Sequence, residues 1–138
     1  MQYEFSGRSS KKIKLLEAIM PSLLSQLKID RNVGSILITL KADCSEAGIT
    51  VPISGAKNMF FVVLNSKASP VNLGITLAHE MVHVAQMTKG ILKGSTRGAQ
   101  CWAGKRYSKN TDYLNRPWEI QAFAKQEILF RRALNEIG

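Results

Sequence analysis

The chain holds two histidines among its 138 residues, and they stand four positions apart in the run Leu77-Ala78-His79-Glu80-Met81-Val82-His83-Val84-Ala85-Gln86. No other stretch restricts the fold as much. On an α-helix, residues four apart lie one above the other on the same face, so both imidazoles can grip one metal ion. Glu80 is turned about 100° from His79. That offset brings its carboxylate beside the open position of a metal rather than onto it. The order H-E-x-x-H therefore reads as a zinc hydrolase site with Zn2+ as cofactor, His79 and His83 as ligands and Glu80 as general base. The bland alternative is a buried helix whose polar side chains find ordinary hydrogen bonds.

The flanks agree with a helix. Ser69 is placed to cap it, with Pro70 at the first helical position, where a missing N–H costs nothing. Gly90 is placed to end it. Ile75, Ala78, Val82 and Ala85 line one face, and Leu77, Met81 and Val84 an adjoining one. The helix is thus expected to pack on two sides and to show His79, His83 and Gln86 to a cleft.

The rest of the chain supplies a frame for that helix. Apolar positions Ile13, Leu16, Met20, Leu23, Leu24 and Leu27 follow helical spacing from about Lys11 to Lys28, after a cap at Ser9 or Ser10. Pro21 is expected to kink or split this helix. Val33 to Leu40 and Gly48 to Ile53 read as short β-branched strands around a turn at residues 43–48. Met59 to Leu64 is the most strand-like run and is expected in the middle of the sheet. Gln100 to Tyr107 reads as a strand or half a hairpin turning at Gly104, with Trp102 in the core or a cleft wall. Pro117 opens a last helix to about Ile137. The sum is a single α+β domain over residues 1–138, with an N-terminal helix, a small sheet of three to four strands, the metal helix and a C-terminal helix.

Composition narrows the setting. Two cysteines, Cys44 and Cys101, are too few for a disulfide scaffold and are not spaced as a zinc ribbon. No apolar leader opens the chain and no stretch approaches 18 uninterrupted apolar residues, so no membrane partner is expected and a cytoplasmic location is. The net charge is +9, and between His83 and Glu119 seven cations face one acid, Asp112. Lys93, Arg97, Lys105, Arg106, Lys109 and Arg116 belong to this 89–116 segment. A local excess beside a metal site points to an anionic partner, nucleic acid or an acidic polypeptide, against the plain reading of solvated charge.

A catalytic zinc needs three protein ligands and one open position. With no third histidine, the H-E-x-x-H-x-x-G-x-x-H pattern is excluded. Cys101 is chemically able to serve, and Asp112, Glu119 and Glu127 are better placed. Glu119 has a competing reading, because with Pro117 at N1 it falls at N3, where a glutamate folds back to cap the helix. Spacing alone leaves both roles open.

The metal run, taken with Trp102-Ala103-Gly104-Lys105 and Tyr113-Leu114-Asn115-Arg116-Pro117-Trp118-Glu119-Ile120-Gln121-Ala122-Phe123, resembles a family of small H-E-x-x-H zincins, many of them encoded by bacteriophages. It is similar in outline to the SprT-like and other minimal gluzincins. The resemblance covers about Ser69 to Leu129, less than half of the chain, and its Pro-Trp-Glu block is the more distinctive part. It implies a minimal zincin fold, a polypeptide substrate and Glu119 as third zinc ligand. The chain departs from the family at Gln121, where a second acid is usual. Position 121 points about 200° away from 119 on a helix, so the ligand is untouched and an ion pair to the basic segment is what the change would remove.

The expected chemistry is peptide-bond hydrolysis. Glu80 takes a proton from the attacking water, which zinc acidifies, and passes it to the leaving amine. An oxyanion donor is also needed; Tyr113 is preferred over Arg116 and Tyr107. The Met59–Leu64 region or its neighbour is expected to offer a sheet edge for an extended peptide. Two other classes compete: a basic nucleic-acid-binding protein with a secondary zinc site, and a zinc that only staples helices.

Overall fold

The computed structural model describes residues 2–31, 34–94 and 99–138. Three parallel strands, β1 (Gln2–Ser6), β2 (Ser35–Lys41) and β4 (Met59–Asn65), form a sheet with β3 (Gly48–Pro52) antiparallel at one edge, in the order β1-β2-β4-β3. Strand alternation decides which face is covered. Ile36, Ile38 and Leu40 of β2 and Phe60, Val62 and Leu64 of β4 are buried, while Leu37 and Phe61 between them point outward. Helices α1 (Ser10–Gln26) and α2 (Pro70–Thr88) lie on the buried face, and α3 (Pro117–Ile137) packs against both of them. A second, three-stranded antiparallel sheet, β5 (Leu92–Gly94), β6 (Gln100–Trp102) and β7 (Lys105–Tyr107), joins α2 to α3. The chain is α+β, and no helix among the described residues is long and apolar enough to cross a membrane.

The start and stop signals of α2 act as their chemistry requires. The Ser69 hydroxyl accepts a hydrogen bond from the Asn72 N–H at 3.2 Å, and Pro70 follows it. At the other end Gly90 takes φ 76°, which lets its N–H reach the Met87 carbonyl and the Ile91 N–H reach that of Gln86. Between these caps Leu77, Met81 and Val84 have no exposed surface. Burial of that kind stabilises by about 1.5–3 kcal/mol per large side chain. The contact between α2 and α3 is unusually close at Gly74: a Cβ there would lie 2.8 Å from Phe130 Cδ1 and 2.9 Å from Cζ.

Several expectations change. Pro21 does not split α1, which runs unbroken from Ser10 to Gln26 with the proline exposed. Met59–Leu64 lies inside the sheet as expected, paired on both sides, and of the two candidates for an edge it is the neighbour β3 that forms one. Strands β1 and β5 add to the expected set. Val33, the expected start of β2, lies outside the described residues, as does Arg97.

Candidate metal centre

The site is where the polar stripe of α2 meets the first two turns of α3 and the end of β3. A cleft of about 640 Å³ opens there, lined among others by Gly48, Thr50, His79, Glu80, His83, Tyr113, Arg116, Trp118, Glu119, Phe123 and Gln126. His79, Glu80 and His83 are buried and their ligand atoms lie within 4.8 Å of one another, a group able to hold a metal ion. Glu119, from α3, comes closer to the imidazoles than that limit. Its Oε1 stands 2.9 Å from His79 Nε2 and 3.0 Å from His83 Nε2. The reading of Glu119 as a helix cap fails here, since its carboxylate turns into the cleft and α3 has no side-chain cap.

The two carboxylates have different surroundings. Glu80 Oε1 accepts a 2.6 Å hydrogen bond from the Thr50 hydroxyl. Its Oε2 packs where a side chain at position 48 would be, since a Cβ on Gly48 would lie 3.2 Å from it. Burial raises the Glu80 carboxyl above its usual range, outweighing the opposite pull of His83, Thr50 and His79. Glu119 feels burial too, but the hydrogen bonds and charges of the two imidazoles prevail and hold it down to about 2. For His83 burial acts downward, and the Glu119 hydrogen bond with the charges of Glu80 and Glu119 reverses it, so the imidazole is raised.

Each imidazole is held from behind by an amide. His79 Nδ1 lies 2.8 Å from Gln126 Oε1, and His83 Nδ1 lies 2.9 Å from Gln86 Oε1. The Gln86 amide in turn donates to the Trp118 carbonyl and to Gln121 Oε1, both at 3.0 Å. Gln121 is therefore tied to Gln86 through its amide oxygen. Phe123 closes one wall, its ring 4.7 Å from that of His79.

The Tyr113 hydroxyl donates to Glu119 Oε1 at 3.1 Å, and burial together with the Glu119 charge raises its pKa well above the ordinary phenol range. Tyr107 stacks edge-on against Trp118 and is not among the cleft residues. Of the basic set, Arg116 lines the cleft, with Nε donating to the Thr111 carbonyl at 3.0 Å. Lys93, Lys105, Arg106 and Lys109 are exposed and stand apart from it. The other carboxylate and thiol candidates are also elsewhere: Asp112 is exposed, Glu127 pairs loosely with Arg131 at 3.9 Å, and Cys101 is half-buried on β6.

Gln86 is expected from the sequence on the cleft side of α2, while Thr50, Gly48 and Gln126 are neighbours of the site that motif reading does not reach. Two carried a faint signal. Gln86 follows His83 by three residues and Gln126 follows Glu119 by seven, spacings that keep each on one helix face. Comparisons with models of protein families, with curated proteins and with solved structures return no match.

Proposed function

We propose that the protein is a zinc-dependent metallopeptidase of zincin type, with His79, His83 and Glu119 as the ligands and Glu80 as the general base. The observation that carries this reading is one carboxylate oxygen, Glu119 Oε1, standing 2.9 and 3.0 Å from the two imidazole nitrogens His79 Nε2 and His83 Nε2. Zinc–ligand bonds of about 2.0–2.1 Å at tetrahedral angles put ligand atoms roughly 3.3 Å apart. The donors therefore need to spread by only a few tenths of an ångström to accept the ion. Two nitrogens and one oxygen also match the donor set of catalytic sites that keep a fourth position open. Glu80 is the less suitable ligand, because Oε1 is already engaged by Thr50.

A bound zinc ion supplies a Lewis acid and a water acidified to a pKa of about 7. The remaining steps belong to the chain. Glu80, fixed by Thr50 and raised by burial, takes a proton from the attacking water and delivers it to the departing amine. Tyr113 keeps its phenolic proton across the working range and is the donor for the oxyanion. An extended peptide has the β3 edge to lie along, since residues 46–50 line the cleft.

A second reading, a basic nucleic-acid-binding protein with a structural zinc, draws on one observation. Lys93, Lys105, Arg106 and Lys109 are exposed and take part in no ion pair among the described residues. They suit an anionic partner, nucleic acid or acidic polypeptide, independently of the cleft.

The test is metal content combined with hydrolysis of a mixed peptide library. The protein should carry about one zinc per chain. Glu80→Gln should keep the metal and lower hydrolysis by roughly 10²-fold or more. Failure to retain or rebind zinc would sink the proposal, and so would a Glu80→Gln variant that loses zinc as readily as His79→Ala.

A further inference from the structure

We infer that Gln86 is a positioning residue that sets the tautomer of His83 and keeps the Nε2 lone pair on the metal side. The inference rests on the metal reading above and concerns what holds that donor set in its binding form. Gln86 is 2% exposed, so its amide has no water to fall back on. A carboxamide has similar outlines at its oxygen and nitrogen ends, and an imidazole nitrogen can donate or accept. The contact between Gln86 and His83 therefore does not by itself say which group holds the proton.

The Trp118 carbonyl decides it. A backbone carbonyl only accepts, so the Gln86 end lying 3.0 Å from it must be the NH2. The second N–H of that group goes to Gln121 Oε1. The opposite end, 2.9 Å from His83 Nδ1, is then the oxygen, and Nδ1 must be the donor. A neutral imidazole has one N–H. With that proton committed to Gln86, Nε2 presents a lone pair to Glu119 Oε1 at 3.0 Å. Two lone pairs at that distance repel unless a cation, a proton or a metal, lies between them. The chain thus builds a site that a divalent ion relieves, and Gln86 is the part that commits His83 to it.

The two histidines differ in this respect. His79 leans on Gln126 at 2.8 Å, but Gln126 is half-buried and makes no second hydrogen bond among the described residues to fix which end faces the ring. His83 is locked through three linked contacts, and His79 through one. Outer partners of metal-bound histidines change metal affinity by about 10–100-fold when removed, so Gln86 should matter more than Gln126.

With two histidines in the chain, a long-range ¹H–¹⁵N spectrum holds two ring systems. It should be recorded in chelator as pH is raised until both rings are neutral, since His83 is held above the ordinary imidazole range, beside zinc affinity by chelator competition. Wild-type His83 should be the Nδ1–H form. Gln86→Met should mix or invert that tautomer and weaken zinc binding by about tenfold or more. Gln86→Glu keeps an acceptor for Nδ1–H and should hold the tautomer and recover most of the affinity. Both variants strip the Trp118 carbonyl of its donor, so the difference between them isolates the acceptor from any effect on folding. A wild-type Nε2–H form, a Glu variant that behaves as the Met variant does, or a Met variant unchanged in tautomer and within about twofold in affinity would overturn the inference. A wild type that binds no zinc would instead overturn the metal reading, while the tautomer spectra still judge Gln86.

Discussion

The facing sides of α2 and α3 and the small sheet β5–β7 both concentrate polar side chains, and they treat them in opposite ways. At the helix contact His79, Glu80, His83 and Gln86 are buried, and each is tied to a named partner. On the sheet Lys93 and Arg106 flank Cys101 across the strands, exposed and without an ion pair among the described residues. The first arrangement is energetically demanding, because a buried polar group left unpaired costs about 1–3 kcal/mol. It persists only where nearly every contact is made. The second costs almost nothing to build or to change. Charge drew attention to the sheet, but commitment of buried groups sets the helix contact apart as the place able to hold a metal ion.

The sharpest way to break that comparison is Glu119→Gln. As a ligand, Glu119 contributes a metal bond to the metal-bound fold beyond the hydrogen bonds to His79, His83 and Tyr113 that it makes in the metal-free one. At zinc concentrations 100 times the dissociation constant, binding to the folded state adds about 2.7 kcal/mol. The variant should lose most of that increment in addition to whatever the lost imidazole hydrogen bonds cost in chelator. Denaturant melts with zinc and with chelator measure both quantities. Equal small losses in the two conditions would make Glu119 an ordinary buried acid.

That the helix contact could be half-read in advance, and only half, has a physical cause. The H-E-x-x-H spacing, the Ser69-Pro70 start and the Gly90 stop are local, and local geometry converts them directly into positions on α2. The alternation of Ile36, Ile38 and Leu40, and the run Met59–Leu64, are local in the same sense. Strand β1 carried an alternation too, Tyr3 and Phe5 half-buried between exposed Gln2, Glu4 and Ser6, but five residues at a chain end are a weak signal. Thr50 and Glu80 are 30 residues apart and Gln86 and Trp118 are 32 apart, and only folding joins them. Glu119 lay between, since spacing allowed both the cap and the ligand role and the structure turns its carboxylate into the cleft.

Gly74→Ala sharpens the comparison from the packing side. In a free helix the change favours folding by up to about 1 kcal/mol. Here the new methyl would meet the Phe130 ring, which is buried at 4% exposure and has little room to yield. Overpacking of this kind costs about 1–3 kcal/mol, so thermal unfolding should move down. Pushing α3 off α2 also withdraws Glu119 from the imidazoles, and zinc affinity should fall with stability. A stabilised variant with unchanged affinity would mean the helix contact is softer than its geometry implies.

The pH dependence separates the metal-free and metal-bound states by sign. His83, ordinarily at 6.5, and Glu80, ordinarily at 4.5, are both raised in the fold. Their stabilising contributions are therefore complete below those ordinary values and disappear as pH rises through the raised ones. Glu119 is lowered from 4.5 to about 2, so its contribution is present above 4.5 and is lost as pH falls towards 2. Between roughly pH 5 and 8 the metal-free protein should lose stability with rising pH. The zinc-dependent increment should grow over the same range, because the ion replaces a proton at the imidazoles. Parallel slopes in chelator and in zinc would remove His79 and His83 from the metal.

The smallest effect is expected on the sheet, and it is the one that tests the other half of the comparison. Lys93→Glu with Arg106→Glu reverses two cations that share a face with Cys101 between them. Both are exposed and neither lines the cleft. Surface changes of this sort stay within about 0.5 kcal/mol, so unfolding and zinc content should match wild type. If the patch binds an anionic polymer, affinity for a random single-stranded oligonucleotide should fall steeply with salt, and the double variant, which removes two cations, should flatten that slope by about 1.4 units. Absence of binding even at low salt would return the four exposed cations to solvated charge and leave the cleft as the sole candidate for function. A large loss of zinc in the double variant would be more disruptive, since it would mean that the small sheet is part of the metal site after all. Leu92 is the reason to check. It lies next to Lys93 on β5, is buried, and lines the cleft. Any shift of β5 caused by the charge reversal would reach the site through that one side chain, and Leu92→Ala, with Lys93 intact, would reproduce the effect.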